Sequence, residues 1–285
     1  MTDNRYPLAA FSASDIKSLS PALKVGILAT VNPQGQPHLT LISTLMAASP
    51  SQVVWGQFTE GMSKAHIHTH PKTGFLIMTL DKTLWRGQAS YTHSSQSGAD
   101  YDYYNNVPMF RYNAYFGVHT VHYMDLLAQS GPRPLPMNKV IFAAVQTMLA
   151  RALAGKRSPT TVMNGWTKAF FDKLDNLKFI SFVRPDGYPV IIPAIQTQSL
   201  DGERLAFSLG VYGDELAEIP AGASVAVFGM ALSMEAVLTR GVFEGIRRIA
   251  GLPTGVVTLD WVYNCMPPAP GQIYPPLPLA AVKAF

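Results

Sequence analysis

The sequence predicts a mainly β (α+β) chain of two tandem antiparallel barrels with a helical insert between them, on three observations. First, "ATVNPQGQPHLTLIS" (Ala29 to Ser43) returns as "SFVRPDGYPVIIPAI" (Ser181 to Ile195), sharing Val, Pro, Gly and the second Pro at a constant offset of 152. Second, the order of everything that follows this pair returns as well. Third, each copy reads as six short strands and one small helix, without the alternating crossover helices that a parallel sheet demands.

Each copy opens on a hairpin. β-Branched residues make its strands, and Pro33 or Pro185 takes the second turn position with Gly35 or Gly187 at the fourth. An apolar strand follows, "QVVWGQF" and "RLAFSLG", then a short helical segment with a proline soon after, "MSKAHIHTHP" and "GDELAEIP". The next strands are "TGFLIMTL" and "ASVAVFGM", then "LWRGQASY" and "LTRGVFEG", both with Arg-Gly in the middle, and finally "GVHTVHY" and "GVVTLDW". Between the copies lies a segment with no strand pattern. It carries an apolar helix from Val140 to Ala154, with Gly155 expected as its C-cap, and a second helix around "NGWTKAFFDKLDN", with a hinge at "GKRSPTT". The expected limits are residues 1–134 for the first barrel, 135–176 for the insert and 177–285 for the second barrel.

The composition bounds the function. In 285 residues, 48% hydrophobic and 14% charged with 22 Gly and 22 Pro, the chain has the apolar content of a folded, turn-rich protein. Its formal charge of +4 comes from scattered Lys and Arg with no basic run to follow a phosphate backbone, which argues against nucleic acid and suits a small anionic ligand. The single cysteine, Cys265, excludes an intrachain disulfide and a thiolate metal cluster, so a cytoplasmic location is expected. The opening "MTDNRYPLAAFSASDIKSLS" has no secretion pattern, and the Val140 to Ala154 stretch is interrupted by Gln146 and Arg151. At that length it falls short of the roughly 20 apolar residues of a membrane span, so no membrane partner is expected.

One stretch asks for chemistry: "QFTEGMSKAHIHTHP", Gln57 to Pro71. Three readings stand: an anion cradle, a metal site, or a helix that only packs. A helix N-terminus presents unpaired N–H groups and a positive dipole end, to which Ser63 adds a hydroxyl, Lys64 a full charge, and Thr59 a further donor. In the packing reading, Thr59 or Ser63 caps the helix and Lys64 faces solvent. Of His66, His68 and His70, only the first and last share a helix face, and no acidic residue lies close to complete a metal set. His119 and His122, three apart on a strand, fall on opposite faces. The expectation is no metal. No nucleophile elbow, glycine-rich phosphate loop or paired carboxylate appears, so no catalytic residue is assigned.

Hairpin, strand, "FT-x-x-x-S-K", short helix, "HP", strand and "W-R-G" together resemble the pyridoxamine 5′-phosphate oxidase-like family of FMN-binding split barrels, over the whole first copy and more faintly over the second. The resemblance implies two split β-barrels fused in one chain, with FMN as cofactor at the interface of barrels and its phosphate near the start of the small helix, at Thr59, Ser63 and Lys64. By family position it further implies Ile42, Ser43 and Thr44 on the second hairpin strand, and Trp55, Gly56, Gln57 and Phe58 on the next, around the flavin ring. Gln88, after Arg86-Gly87, is implied to bring an amide towards the ring from an opposing barrel. Trp55 and Phe58 also suit a plain core. In the second copy "GVYGDELAEIP" carries Asp214, Glu215 and Glu218 and no Lys, so the phosphate site is expected to be lost there, leaving one flavin per chain.

The chain departs from vitamin B6 oxidases. "PHLTLISTLM" holds no Arg or Lys, and the tail "PGQIYPPLPLAAVKAF" holds no Arg. This leaves an FMN-dependent oxidoreductase with a small-molecule substrate or electron donor, against a non-catalytic flavin- or haem-binding electron carrier, with a homodimer open in either case. The aromatic stretch "DYDYYNNVPMFRYNAYFG" reads as a packed loop, with a pocket wall or dimer contact as the other reading.

Overall fold

The structure is a computed structural model that describes residues 5–109, 117–155, 158–233, 235–265 and 270–278. In chain order the first copy runs α1 (Ala13–Leu19), β1 (Val25–Val31), β2 (Pro37–Leu41), β3 (Met46–Ser49), β4 (Gln52–Gln57), α2 (Met62–Thr69), β5 (Lys72–Met78), β6 (Thr83–Ser95), α3 (Ala99–Asn106), β7 (Thr120–Gln129) and β8 (Arg133–Pro134). After α4 (Met137–Leu153) and α5 (Gly165–Asp172) come β9 (Leu177–Val183), β10 (Pro189–Pro193), β11 (Gln198–Ser199), β12 (Arg204–Ser208), α6 (Gly213–Ala217), β13 (Ser224–Met230), β14 (Ala236–Ile249), β15 (Leu252–Asn264) and β16 (Gly271–Tyr274).

Both sheets have eight strands and one plan. The first orders β2-β1-β5-β6-β7-β4-β3 and the second β10-β9-β13-β14-β15-β12-β11, with β8 added to β6 and β16 to β15. The duplication holds at the level of single hydrogen bonds. Gly35 N donates to Asn32 O and Gly187 N to Arg184 O, each closing the same tight turn with the glycine at a positive φ of 75° or 84° that a side chain would resist. Ile42 N donates to Gly26 O, and Ala194 N to Lys178 O. The fold is thus two tandem split β-barrels, each wrapped about its own core.

Cores follow from strand alternation. In the first barrel Val53 and Trp55 point into a buried cluster with Leu28, Phe75, Ile77, Trp85 and Met124, while Val54 between them joins Met46, Tyr104, Val118 and Val121 on the other face. The eight buried apolar residues of β9 and β13, Phe179 and Phe228 among them, do the same for the second sheet. By compactness the chain divides into one unit of residues up to Leu135 with Val183–Ile191, and another of Pro136–Phe182 with the residues from Ile192 onward. Among the described residues no helix is long and apolar enough to cross a membrane.

The structure differs from the sequence reading in five places. Each sheet has eight strands rather than six, because the short β3 and β8 in the first copy and β11 and β16 in the second carry no hairpin or alternation signal of their own. Helix α1 was not anticipated, although Ser12 and Asp15 form a complete capping box there. It sits at the same 152 offset from α5, whose cap is Asn164, so α5 is the second copy's counterpart of α1. The second hairpin strand stops at Leu41 because the chain turns at Ile42 to Leu45, closed by Leu45 N to Ile42 O, where a Cβ on Gly26 would lie 2.2 Å from the Ile42 carbonyl. The aromatic stretch is in part the helix α3, with Tyr104 buried and its hydroxyl donating to Thr44 O at 2.7 Å; residues 110–116 of that stretch lie outside the described residues. Finally, α4 ends on Ala154 in extended geometry, and Gly155 follows the cap rather than forming it.

Candidate functional site

Helix α2 is held against the barrel by its histidine face. The buried His66 ring lies 3.1 Å through Nδ1 from Thr30 Oγ1 on β1 and packs edge-on against His38 at 5.0 Å. His68 meets the edge of Tyr91 at 5.2 Å, and His70 ends the helix. The three rings therefore have three different surroundings. Among the described residues no three His, Cys, Asp or Glu side chains converge.

Its N-terminus is exposed and has no side-chain cap. Gly61 occupies the cap position in extended backbone, and the Lys64 side chain curls back over it to donate from Nζ to the Thr59 carbonyl. An ammonium thus sits beside the N–H groups of a first turn that no side chain caps, with the Lys64 N–H itself reaching back to Gly61 O at 3.3 Å, and such a helix start attracts an oxyanion. Partial burial pulls the Lys64 pKa below the usual lysine range, and the Glu60 carboxylate pushes it back up. Glu60 is the residue the sequence reading overlooked: it lies inside the quoted stretch, held at 3.0 Å by Gln57 Nε2, and its charge opposes an anion.

Ser63 does not join that cradle. It is buried, and its hydroxyl is hydrogen-bonded to Thr40 Oγ1 on β2, because position 63 faces the barrel when the helix lies on its histidine side. Thr59 is exposed and serves Lys64 through its carbonyl. Thr44 is equally committed to the fold: its hydroxyl donates to Gly56 O at 2.8 Å and accepts from Gly56 N at 3.0 Å. Ser43 is half-buried in the turn beside it, and Phe58 packs on the outer cluster.

Deeper in the same barrel, strand pairing sets Trp55 opposite His122. Their rings stack at 4.0 Å, both fully buried, and His122 Nε2 donates to Gln57 Oε1 at 2.8 Å. Since a carbonyl oxygen only accepts, the proton is on Nε2 and Nδ1 is a bare acceptor. Burial, then the nearby His68 and Lys64 charges, depress the His122 pKa to about 4, so the ring is neutral at pH 7. Among the described residues no hydrogen-bond partner reaches His122 Nδ1 or Trp55 Nε1, nor Gln88 Nε2 on β6. The link from Gln57 to His122 was invisible in sequence because the two residues meet only through the β4–β7 register.

The residues fit one end of a flavin nucleotide better than the other. The exposed N-terminus of α2 with Lys64 suits a phosphate. Trp55 and Gln57, implied as ring contacts, are instead occupied by His122 and Glu60: Trp55 lies buried in the core with the His122 ring on its face.

Neither a known family profile nor a curated protein matches the chain. Solved structures do. They include an FMN-binding protein from Syntrophomonas wolfei subsp. wolfei at 16% identity and TM-score 0.36, spanning 43% of this chain and 86% of that one. A putative pyridoxamine 5′-phosphate oxidase from Lactobacillus delbrueckii matches at 16% identity and TM-score 0.34, over 43% and 95%. HupZ from Group A Streptococcus matches at 12% identity and TM-score 0.35, over 44% and 98%. Each covers less than half of this chain.

Proposed function

We propose that the first barrel binds FMN by its phosphate at the start of α2, and that the chain is an FMN-dependent oxidoreductase acting on a small molecule. The carrying observation is the uncapped N-terminus of α2 with the Lys64 ammonium folded over Gly61. The backbone N–H groups of that turn and Lys64 would hold the phosphate, with the Thr59 hydroxyl within the same exposed loop. Ser63 and Thr44 would act only by fixing α2 and β4 in place. A bound flavin supplies hydride and electron transfer, and the protein supplies position and polarity. No side-chain acid or base is assigned, since His122 is buried and uncharged.

This reading gives residues 1–134 the phosphate site, 135–176 the helical insert and 177–285 a second barrel without one. In that barrel α6 has five residues, with Asp214 and Glu215 in its first turn. Titrating FMN into the protein while following flavin fluorescence tests the binding. Saturable quenching at one FMN per chain is expected, and no binding at millimolar FMN would overturn the reading. Turnover with a nicotinamide nucleotide and an added electron acceptor tests the enzyme assignment.

A further inference from the structure

Helix α4 has two apolar faces. One is used: Val140, Ala143, Ala144, Thr147 and Ala150 lie buried on β12, with Thr147 Oγ1 accepting from Ser208 N at 2.9 Å and Ser208 Oγ donating to Ala143 O at 2.8 Å. The opposite face carries Ile141, Phe142, Val145, Met148, Leu149 and Leu153, each between 47% and 64% exposed. Six large apolar side chains, each about half exposed or more, thus line one face of a single helix, whereas a monomer's exposed apolar residues are ordinarily scattered singly.

We propose that this face binds a second copy of the chain through an antiparallel α4–α4 contact about a two-fold axis near Val145. A two-fold interface requires a surface complementary to itself. The stripe meets that requirement by position from Ile141 to Leu149, which reads the same in both directions about Val145: Ile141 falls opposite Leu149, Phe142 opposite Met148, and Val145 opposite itself, while Leu153 falls opposite Met137 at the helix start. Met148 and Ala152 also border a cavity of about 310 Å³ with Leu174, Gln198 and the paired Arg151 and Asp172, which gives the opposing Phe142 a recess to enter. Lys139 falls opposite Arg151, and that like-charge meeting is relieved by Asp172, which pairs with Arg151 at 2.8 Å. A helix lying in a lipid surface needs a charged outer face. Here the face opposite the stripe is inside the protein, which favours a second copy over a membrane.

The test is sedimentation of the full chain across protein concentration, for the wild type and for Val145→Glu. An exposed position tolerates the change in the monomer, while a charge buried unpaired at the axis weakens association at least ~100-fold. A wild-type dimer at micromolar concentration that Val145→Glu dissociates, with Val145→Cys forming a disulfide-linked dimer on oxidation, is the expected result. Three results would overturn the proposal: a wild type monomeric at 100-fold higher concentration, a dimer that survives Val145→Glu, or a monomer that co-sediments with phosphatidylcholine vesicles through this face.

Discussion

The two barrels share a strand order and differ where a ligand would bind. In the first, an eight-residue helix begins at an open glycine with a lysine folded over it; in the second, a five-residue helix begins at Tyr212 in left-handed backbone and carries two carboxylates in its first turn. Inside, the first barrel stacks Trp55 on His122, whereas the second lays Phe207 against Gly255, so closely that a Cβ there would meet the ring at 2.3 Å. The β4 and β12 outer faces are also covered differently. Tyr104 of α3 and Val118 close over Gly56, while α4 docks on Ser208 through small residues and leaves a surplus apolar face. One strand plan therefore carries a lysine and a buried histidine in one copy, and carboxylates with close aromatic–glycine packing in the other.

Lysine 64 offers the largest break in that comparison. Lys64→Glu makes the first helix resemble the second and should weaken FMN binding by about 100-fold, from a lost charge-assisted contact plus repulsion. Fluorescence titration reads the change directly. His122 comes next. Its pKa is near 4 in the folded chain against an ordinary 6.5, so the folded state takes up fewer protons between those values. Stability is therefore fully present above pH 6.5 and falls as pH drops towards 4, by on the order of 2–3 kcal/mol. Denaturant midpoints measured from pH 7.5 to 4 should show this loss in the wild type and a smaller one in His122→Gln.

Smaller effects separate structural from binding roles. Ser63→Ala should cost about 1 kcal/mol of stability, since it leaves Thr40 without its partner, and should leave the FMN dissociation constant unchanged. Equal stability with weaker binding would return Ser63 to the phosphate. Glu60→Gln removes the carboxylate that acts on Lys64 and should tighten FMN a few-fold, an effect that grows as salt is lowered.

Much of the fold was legible in advance because repeated turn chemistry is local. Pro33 and Gly35 announce a hairpin wherever they occur, and their recurrence at Pro185 and Gly187 gives the duplication. What depends on contact across the barrel was not legible. The break after Leu41 comes from Gly26 meeting Ile42, and the inward turn of Ser63 comes from how α2 rests on Thr30 and His38. Lys64 was legible as a charge at a helix start, whereas the Glu60–Gln57–His122 chain needed the β4–β7 register to bring its members together. The α1 cap was missed for a simpler reason: Ser12 and Asp15 precede the first strand, outside the pattern that revealed the repeat.

The most direct measurement compares FMN with riboflavin, which differ only by the phosphate, on the wild type and on Lys64→Glu. The account predicts that the wild type binds FMN at least tenfold more tightly than riboflavin and that the mutant binds the two alike. Equal affinities in the wild type, or a preference for FMN that survives the mutation, would contradict it.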